Sequence, residues 1–238
     1  MGKRDRARAE MTERILAAAR AEIVQVGGVG LSMRAVAREV GMVSSAVYRY
    51  FPTREDLLTA LILESYGGLA AVLRAALKDG VEGAAPHVVS VAAPSDARRW
   101  ARLADALREW ALDNPHEFQL IYGTPIPGYV APPETIPAAG AVAAPFFDCL
   151  GSRWVSGFEE FHGENGLGMG LREVAHGAGI TPSAAAAVVA AISELVGFVS
   201  HELAGHFVGM VDPAGRLYRA VVRRQARDLG LLRVEGAD

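Results

Sequence analysis

Met33, Val36, Ala37 and Val40 fall at i, i+3, i+4 and i+7, a spacing that lines four apolar side chains along one face of an α-helix. Gly41 ends the run. Helical spacing resumes from Ser44 to Phe51. There Val47, Tyr50 and Phe51 gather on one side, Ser45 and Arg49 lie opposite, and Ser44 and Tyr48 flank them. Two short helices joined through a glycine turn predict a helix-turn-helix, whose second helix must anchor itself and present a polar face at once. Pro52 stops that helix, because the residue before a proline is pushed out of helical geometry.

The flanking sequence agrees. Leu16, Ala19, Ile23 and Val26 predict a first helix ended by Gly27-Gly28. Ser32 is placed to cap the second helix, and Thr53 with Asp56 starts a fourth that runs to Leu77. Further helices are expected from Ser95 through Trp110, and after Asn114-Pro115, which supplies a cap and a first-turn proline. Pro125 to Pro145 reads as a long loop leading into a helix through Phe146 and Trp154, and Gly163 to Gly179 reads as irregular. Thr181-Pro182 opens a long helix ending near His206, and Asp212-Pro213 opens the last, through Leu229. No stretch alternates apolar and polar residues, so the expected fold is all-α. No internal repeat is evident. The expected division is a helix-turn-helix domain over residues 1–58 and a larger helical ligand-binding and dimerisation domain over 59–238, with the boundary inside the fourth helix.

Charge separates the two parts. Residues 1–60 hold 10 Lys and Arg against 7 Asp and Glu, whereas the remainder holds 14 against 20. A basic head on an acidic body points to a polyanion partner for the head. Arginine carries almost all the positive charge, since Lys3 and Lys78 are the only lysines. Cys149 is the single cysteine, which rules out an internal disulfide and fits a reducing compartment. The N-terminus lacks the apolar run of a secretion signal. The apolar stretch from Ala184 to Leu203 is broken by Glu194, His201 and Glu202, so it reads as a buried helix and not as a membrane span. A cytoplasmic protein is the expectation.

Arginine bonds guanine in bidentate fashion, serine bonds bases or phosphates, and the alanine methyl can meet a thymine methyl. A tyrosine at the edge of a recognition helix can reach a phosphate. Arg49, Ser44, Ser45, Ala46 and Tyr48 are therefore candidate DNA contacts, Phe51 is core, and Tyr50 is divided between the two roles. The stretch "LSMRAVAREVGMVSSAVYRYFPTREDLLTAL" resembles the DNA-binding head of the TetR family of bacterial repressors, over residues 12–62. The resemblance implies DNA contacts from Arg34, Ser44, Ser45, Ala46, Tyr48, Arg49 and Tyr50, with Arg54 on a phosphate at the start of the fourth helix. Met33 departs from the hydroxyl residue often found at its position. The family further implies an all-helical homodimer on a double-stranded DNA operator, with a ligand pocket in the body and a dimer bundle from the last two long helices. "NPHEFQLIYGTPIPGYVAP" resembles the C-terminal subclass named for a Trp-His-Gly motif, although Ile192 and Val196 stand where Trp and His would be and only Gly197 fits.

The helix after Pro182 is apolar nearly all round, which separately calls for a partner surface and predicts a homodimer. Trp100, Trp110, Phe118, Tyr122, Phe147 and Trp154 are the candidate lining of a pocket for an aromatic or lipophilic small molecule. "HELAGH" imitates a zinc-protease motif, but His201 and His206 are five apart and Gly205 fills the slot the second ligand needs. No catalytic residue, metal or cofactor is expected. The reading is a ligand-responsive transcriptional regulator, a repressor released by a small molecule. Its rivals are an enzyme that carries a helix-turn-helix, and a helix-turn-helix interaction module that does not bind DNA.

Overall fold

A computed structural model of the chain describes residues 2–78, 95–161 and 166–232. Those residues contain no strand. They form α1 (Lys3–Gly30), α2 (Met33–Glu39), α3 (Ser44–Val47), α4 (Arg54–Lys78), α5 (Ser95–Asp113), α6 (Pro115–Tyr122), α7 (Thr135–Phe147), a 3-10 turn (Glu159–Phe161), α8 (Met169–Ala178), α9 (Pro182–Leu203) and α10 (Ala214–Asp228).

Local chemistry sets most of these boundaries. The Ala35 amide donates to Ser32 Oγ at 3.4 Å, capping α2. Gly41, in the turn after α2, has φ +70, a left-handed conformation that side chains rarely adopt. At the start of α4 the Thr53 amide donates to Asp56 Oδ2 (2.9 Å), while the Asp56 amide donates to Thr53 Oγ1 (3.0 Å). This reciprocal box satisfies amides that the helix itself cannot. The Ala184 amide donates to Thr181 Oγ1 at 3.2 Å and so starts α9. Regular α3 is a single turn, but its winding continues, since the amides of Tyr50 and Phe51 both donate to the Val47 carbonyl (2.9 and 3.0 Å).

Three expectations are corrected. The segment expected as loop from Pro125 to Pro145 becomes α7 at Thr135, because its alanines favour helix and Pro145 falls in the last turn. Trp154 lies beyond the end of α7 and in no helix. The segment Gly163–Gly179, expected to be irregular, contains α8. Gly168 and the left-handed Gly179 (φ 64) flank that helix as caps instead of breaking it. Its residues 163–165 lie outside the described ones.

The chain divides into two compact units, Met1–Gly67 with Asn114–Ala138 and Gly68–Asp113 with Ala139–Asp238. The division cuts α4 between Gly67 and Gly68. The core of the first unit joins Ile15, Leu16, Ala19 and Ile23 of α1 to Val36, Val47, Phe51, Leu57, Leu58 and Leu61. Burying each such aliphatic side chain contributes about 1.5–3 kcal/mol before entropy is counted. Segment 114–138 belongs to this unit because Leu120, Ile126 and Tyr129 pack on the same core. Gly28 makes room for it: a Cβ there would lie 2.8 Å from Ile126 Cδ1. The hydroxyls of Thr59 and Tyr129 complete the seam at 3.0 Å.

In the second unit, one buried glutamine ties three helices. Trp100 Nε1 of α5 donates to Gln225 Oε1 of α10 (3.2 Å), and Gln225 Nε2 donates to the Ala191 carbonyl (3.0 Å) and Glu194 Oε2 (2.8 Å) of α9. Arg108 of α5 meets Glu202 of α9 with two hydrogen bonds (2.8 and 2.5 Å), and the Tyr218 hydroxyl donates to the Ala104 carbonyl (2.6 Å). α4 and α9 are long and apolar enough to cross a membrane by length and composition, yet 44% of each apolar window is already buried against protein.

Candidate nucleic-acid interface

Because α3 is so short, its orientation depends on what it buries. Val47 is fully buried and Phe51 is 7% exposed, so the opposite side must face outward. That side carries exposed Ser45 and Arg49, with Tyr48 46% exposed. Ser44 and Ala46 are half-buried at its margins, and Arg34 of α2 is exposed. Tyr50 is half-buried and packs against the core. Val43, just before α3, is 71% exposed, an apolar group beside the polar ones. No periodicity marks Val43, since it lies in the turn.

Arg54 turns inward. Its Nε donates to the Leu31 carbonyl (2.9 Å), and Nη2 donates to the carbonyls of Gly28 (2.7 Å) and Val29 (2.9 Å). The Gly28 and Val29 carbonyls belong to the end of α1, just past the left-handed Gly27 (φ 68), and that of Leu31 to the turn that follows. Nη1 remains, with the Glu55 carboxylate 4.0 Å away. Two more arginines, unforeseen from the sequence, serve main-chain carbonyls of the same motif. Arg14 Nη2 donates to the Val40 carbonyl at the end of α2 (3.3 Å), and Arg8 Nη2 to the Arg49 carbonyl (3.5 Å). The last carbonyls of a helix have no partner within it, and cationic side chains are suited to supply one. Lys3, Arg4 and Arg6 are exposed on the first turns of α1.

The six residues expected to line a ligand pocket are shared between the two units. Phe118 and Tyr122 of the first unit lie with ring centroids 5.3 Å apart, and Tyr66 meets Tyr122 edge-on at 6.2 Å. Burial and the neighbouring Tyr66 push the Tyr122 hydroxyl well above its ordinary pKa. In the second unit, Trp100 is fully buried edge-on to Phe146 at 5.2 Å, and Trp110 and Phe147 are buried. Trp154 is 50% exposed. A cavity of about 300 Å³ in that unit is bordered by Val155, Phe158, Ala187, Ala191, Glu194 and Leu229, among others.

Cys149 is fully buried and its thiol donates to the Pro145 carbonyl (3.4 Å). Burial pushes its pKa up to about 12, which leaves almost no thiolate at neutral pH. His201 and His206 lie with ring centroids 5.3 Å apart past the helical register, and His201 Nδ1 is 2.8 Å from the Gly197 carbonyl. Among the described residues, no three His, Cys, Asp or Glu side chains are grouped to hold a metal ion.

Comparison with known proteins bears on this geometry. The family described as bacterial regulatory proteins, tetR family, matches residues 15–61, and the tetracyclin repressor-like C-terminal domain matches residues 100–225. Curated relatives named HTH-type transcriptional regulators, Rv1816 of Mycobacterium tuberculosis and Mb1846 of Mycobacterium bovis, are 40% identical over 158 residues, 66% of this chain. The match spans 63% of their length. The solved structure of SCO4313, described as a regulatory protein, superposes with a TM-score of 0.70 at 31% identity, over 94% of this chain and 98% of that one. A Rhodococcus sp. RHA1 protein of unknown function superposes with a TM-score of 0.63 at 23% identity, over 93% of this chain and 95% of that one, a likeness of fold alone.

Proposed function

The chain belongs to the TetR family of bacterial transcriptional regulators, and on that footing we propose that it is a ligand-responsive repressor that binds a palindromic DNA operator as a homodimer. The observation that carries this reading is the outer side of α3, where Ser45, Tyr48 and Arg49 are exposed opposite buried Val47. A helix so placed enters a major groove, with Arg49 on a guanine and Ser44, Ser45 and Ala46 on neighbouring bases or phosphates. Val43 adds a methyl contact for a thymine. Tyr48 and Tyr50 reach phosphates, Arg34 does so from α2, and Arg54 has only Nη1 to offer one.

Dimerisation through α9 and α10 is supported by the exposed side of α9. The exposed residues of that helix are Val189, Ala190, Ser193 and His201, and Ile192 and Val196 are half-buried. Release would follow from a lipophilic small molecule in the body. Such a ligand acts only if it binds the released state more tightly than the DNA-bound one. Segment 114–138 supports a route for that signal, because it packs on the head through Ile126 and Tyr129 while both its ends continue into the second unit's chain. A cytoplasmic location accords with this role.

Footprinting the protein on DNA flanking its own gene tests the reading. A protected palindrome, with Arg49→Ala losing protection, supports it. Protection of no site, with binding insensitive to salt, would favour the interaction module.

A further inference from the structure

We propose that Arg8 is a positioning residue for sequence readout, acting through Tyr50 and the Arg49 main chain to set the angle at which α3 meets DNA. The inference rests on the DNA-binding reading above. Regular α3 is four residues long, far too short to persist on its own hydrogen bonds. Its buried anchors are Val47 and Phe51, on one side only. The outer side of its last turn, where Arg49 projects, is left to a second support.

Arg8 supplies one from α1. Its guanidinium carbon lies 5.2 Å from the Tyr50 ring centroid, within the range of a cation–π contact. The same group donates a long, exposed hydrogen bond to the Arg49 carbonyl (3.5 Å). Arg8 stands on a helix fixed by Ile15 and Leu16, which are in the core of the unit. The last turn of the recognition helix is thereby referred to the frame of the head. Arg14 does the corresponding job for α2 at the Val40 carbonyl, so α1 braces both helices of the motif with an arginine. A planar guanidinium stacks on a ring and donates to a carbonyl together; an ammonium is a compact point charge and does not combine the two.

The basic arm of Lys3, Arg4, Arg6 and Arg8 is expected from the sequence to contribute affinity without preference, and the contacts of Arg8 set it apart from the other three. That contrast supplies the test. Full-length wild type, Arg8→Lys, Arg6→Ala, Tyr50→Leu and the Arg8→Lys/Tyr50→Leu double variant each select from a pool of duplexes randomised across the binding site. Each is also titrated with salt on one fixed non-cognate duplex and melted.

Arg8→Lys keeps its charge, so its salt slope and melting temperature stay near wild type. Its preference at the base read by Arg49 falls about tenfold, on the order of one bidentate contact. Arg6→Ala lowers the salt slope by about one and leaves preference intact. Tyr50→Leu loses the same preference as Arg8→Lys, and the double variant loses no more than either single one, as expected of two groups acting as one contact. Unchanged preference in Arg8→Lys, or additive losses in the double variant, would overturn the assignment. If the wild type itself enriches no sequence, the DNA-binding reading fails first and the inference falls with it.

Discussion

Replacing Arg54 with alanine removes three hydrogen bonds that join the start of α4 to the end of α1 and the turn that follows it. The bonds to Leu31 and Gly28 are partly buried, and the one to Val29 is exposed. Each partly buried bond from a charged donor contributes about 1–1.5 kcal/mol net, while water replaces the exposed one at little cost. Arg54→Ala should therefore destabilise the protein by about 2–3 kcal/mol and lower its melting temperature by about 5–10 °C. Arg54→Lys keeps the charge but not the fork, and should recover no more than about 1 kcal/mol of that loss. Thermal melts by circular dichroism measure the first effect. The salt dependence of duplex binding measures any phosphate contact made by Nη1. An alanine variant that melts within about 1 °C of wild type, while its salt slope falls by about one, would refute the clamp and leave Arg54 as a simple phosphate contact.

Arg49→Ala should weaken operator binding by about 1–3 kcal/mol and relax one base preference; a uniform loss across sequences in a competition assay would remove the base contact. Gly28→Val should cost about 1–3 kcal/mol by pressing on Ile126, and Ile126→Ala should partly restore the loss in a urea titration. At Gly67 a Cβ meets nothing within 4 Å, and at Gly68 only Trp110 Nε1 at 3.8 Å. Gly67→Ala/Gly68→Ala should therefore stabilise α4 by about 1–2 kcal/mol. If the pair is a hinge, operator release by ligand weakens as well, whereas an unchanged coupling in the folded double variant rules the hinge out. Burial raises the pKa of Glu64, with Glu117 and Glu13 adding to the effect and Arg20 opposing it. The folded chain thus holds that proton more tightly than the unfolded one, so stability falls as pH rises through the folded pKa. Glu64→Gln should melt above wild type at pH 7, with the gain vanishing in melts at acid pH, where Glu64 is already protonated.

Short-range chemistry was legible in the sequence. Ser32, Thr53 with Asp56, and Thr181 each cap a helix by bonding an amide three residues on, so the signal and its partner are read together. The Met33–Val40 stripe fixed the buried face of α2, and the wheel of α3 put Val47 inside and Arg49 outside. α7 and α8 were harder to see, because proline and glycine punctuate loops and helix ends alike, and composition does not distinguish a cap from a break. The destinations of long side chains lay further out of reach. A long arginine side chain can face a phosphate or a carbonyl, and only the position of the end of α1 and its following turn, brought alongside α4 by the packed core, turned Arg54 inward. The inclusion of segment 114–138 in the first unit is of the same kind. It depends on the space left at Gly28 and on the hydroxyl of Thr59, both far away in sequence. Local hydrogen bonding and periodicity are properties of neighbours along the chain and can be read from it. Contacts across the core exist only once every helix has been placed, and the tertiary structure alone decides them.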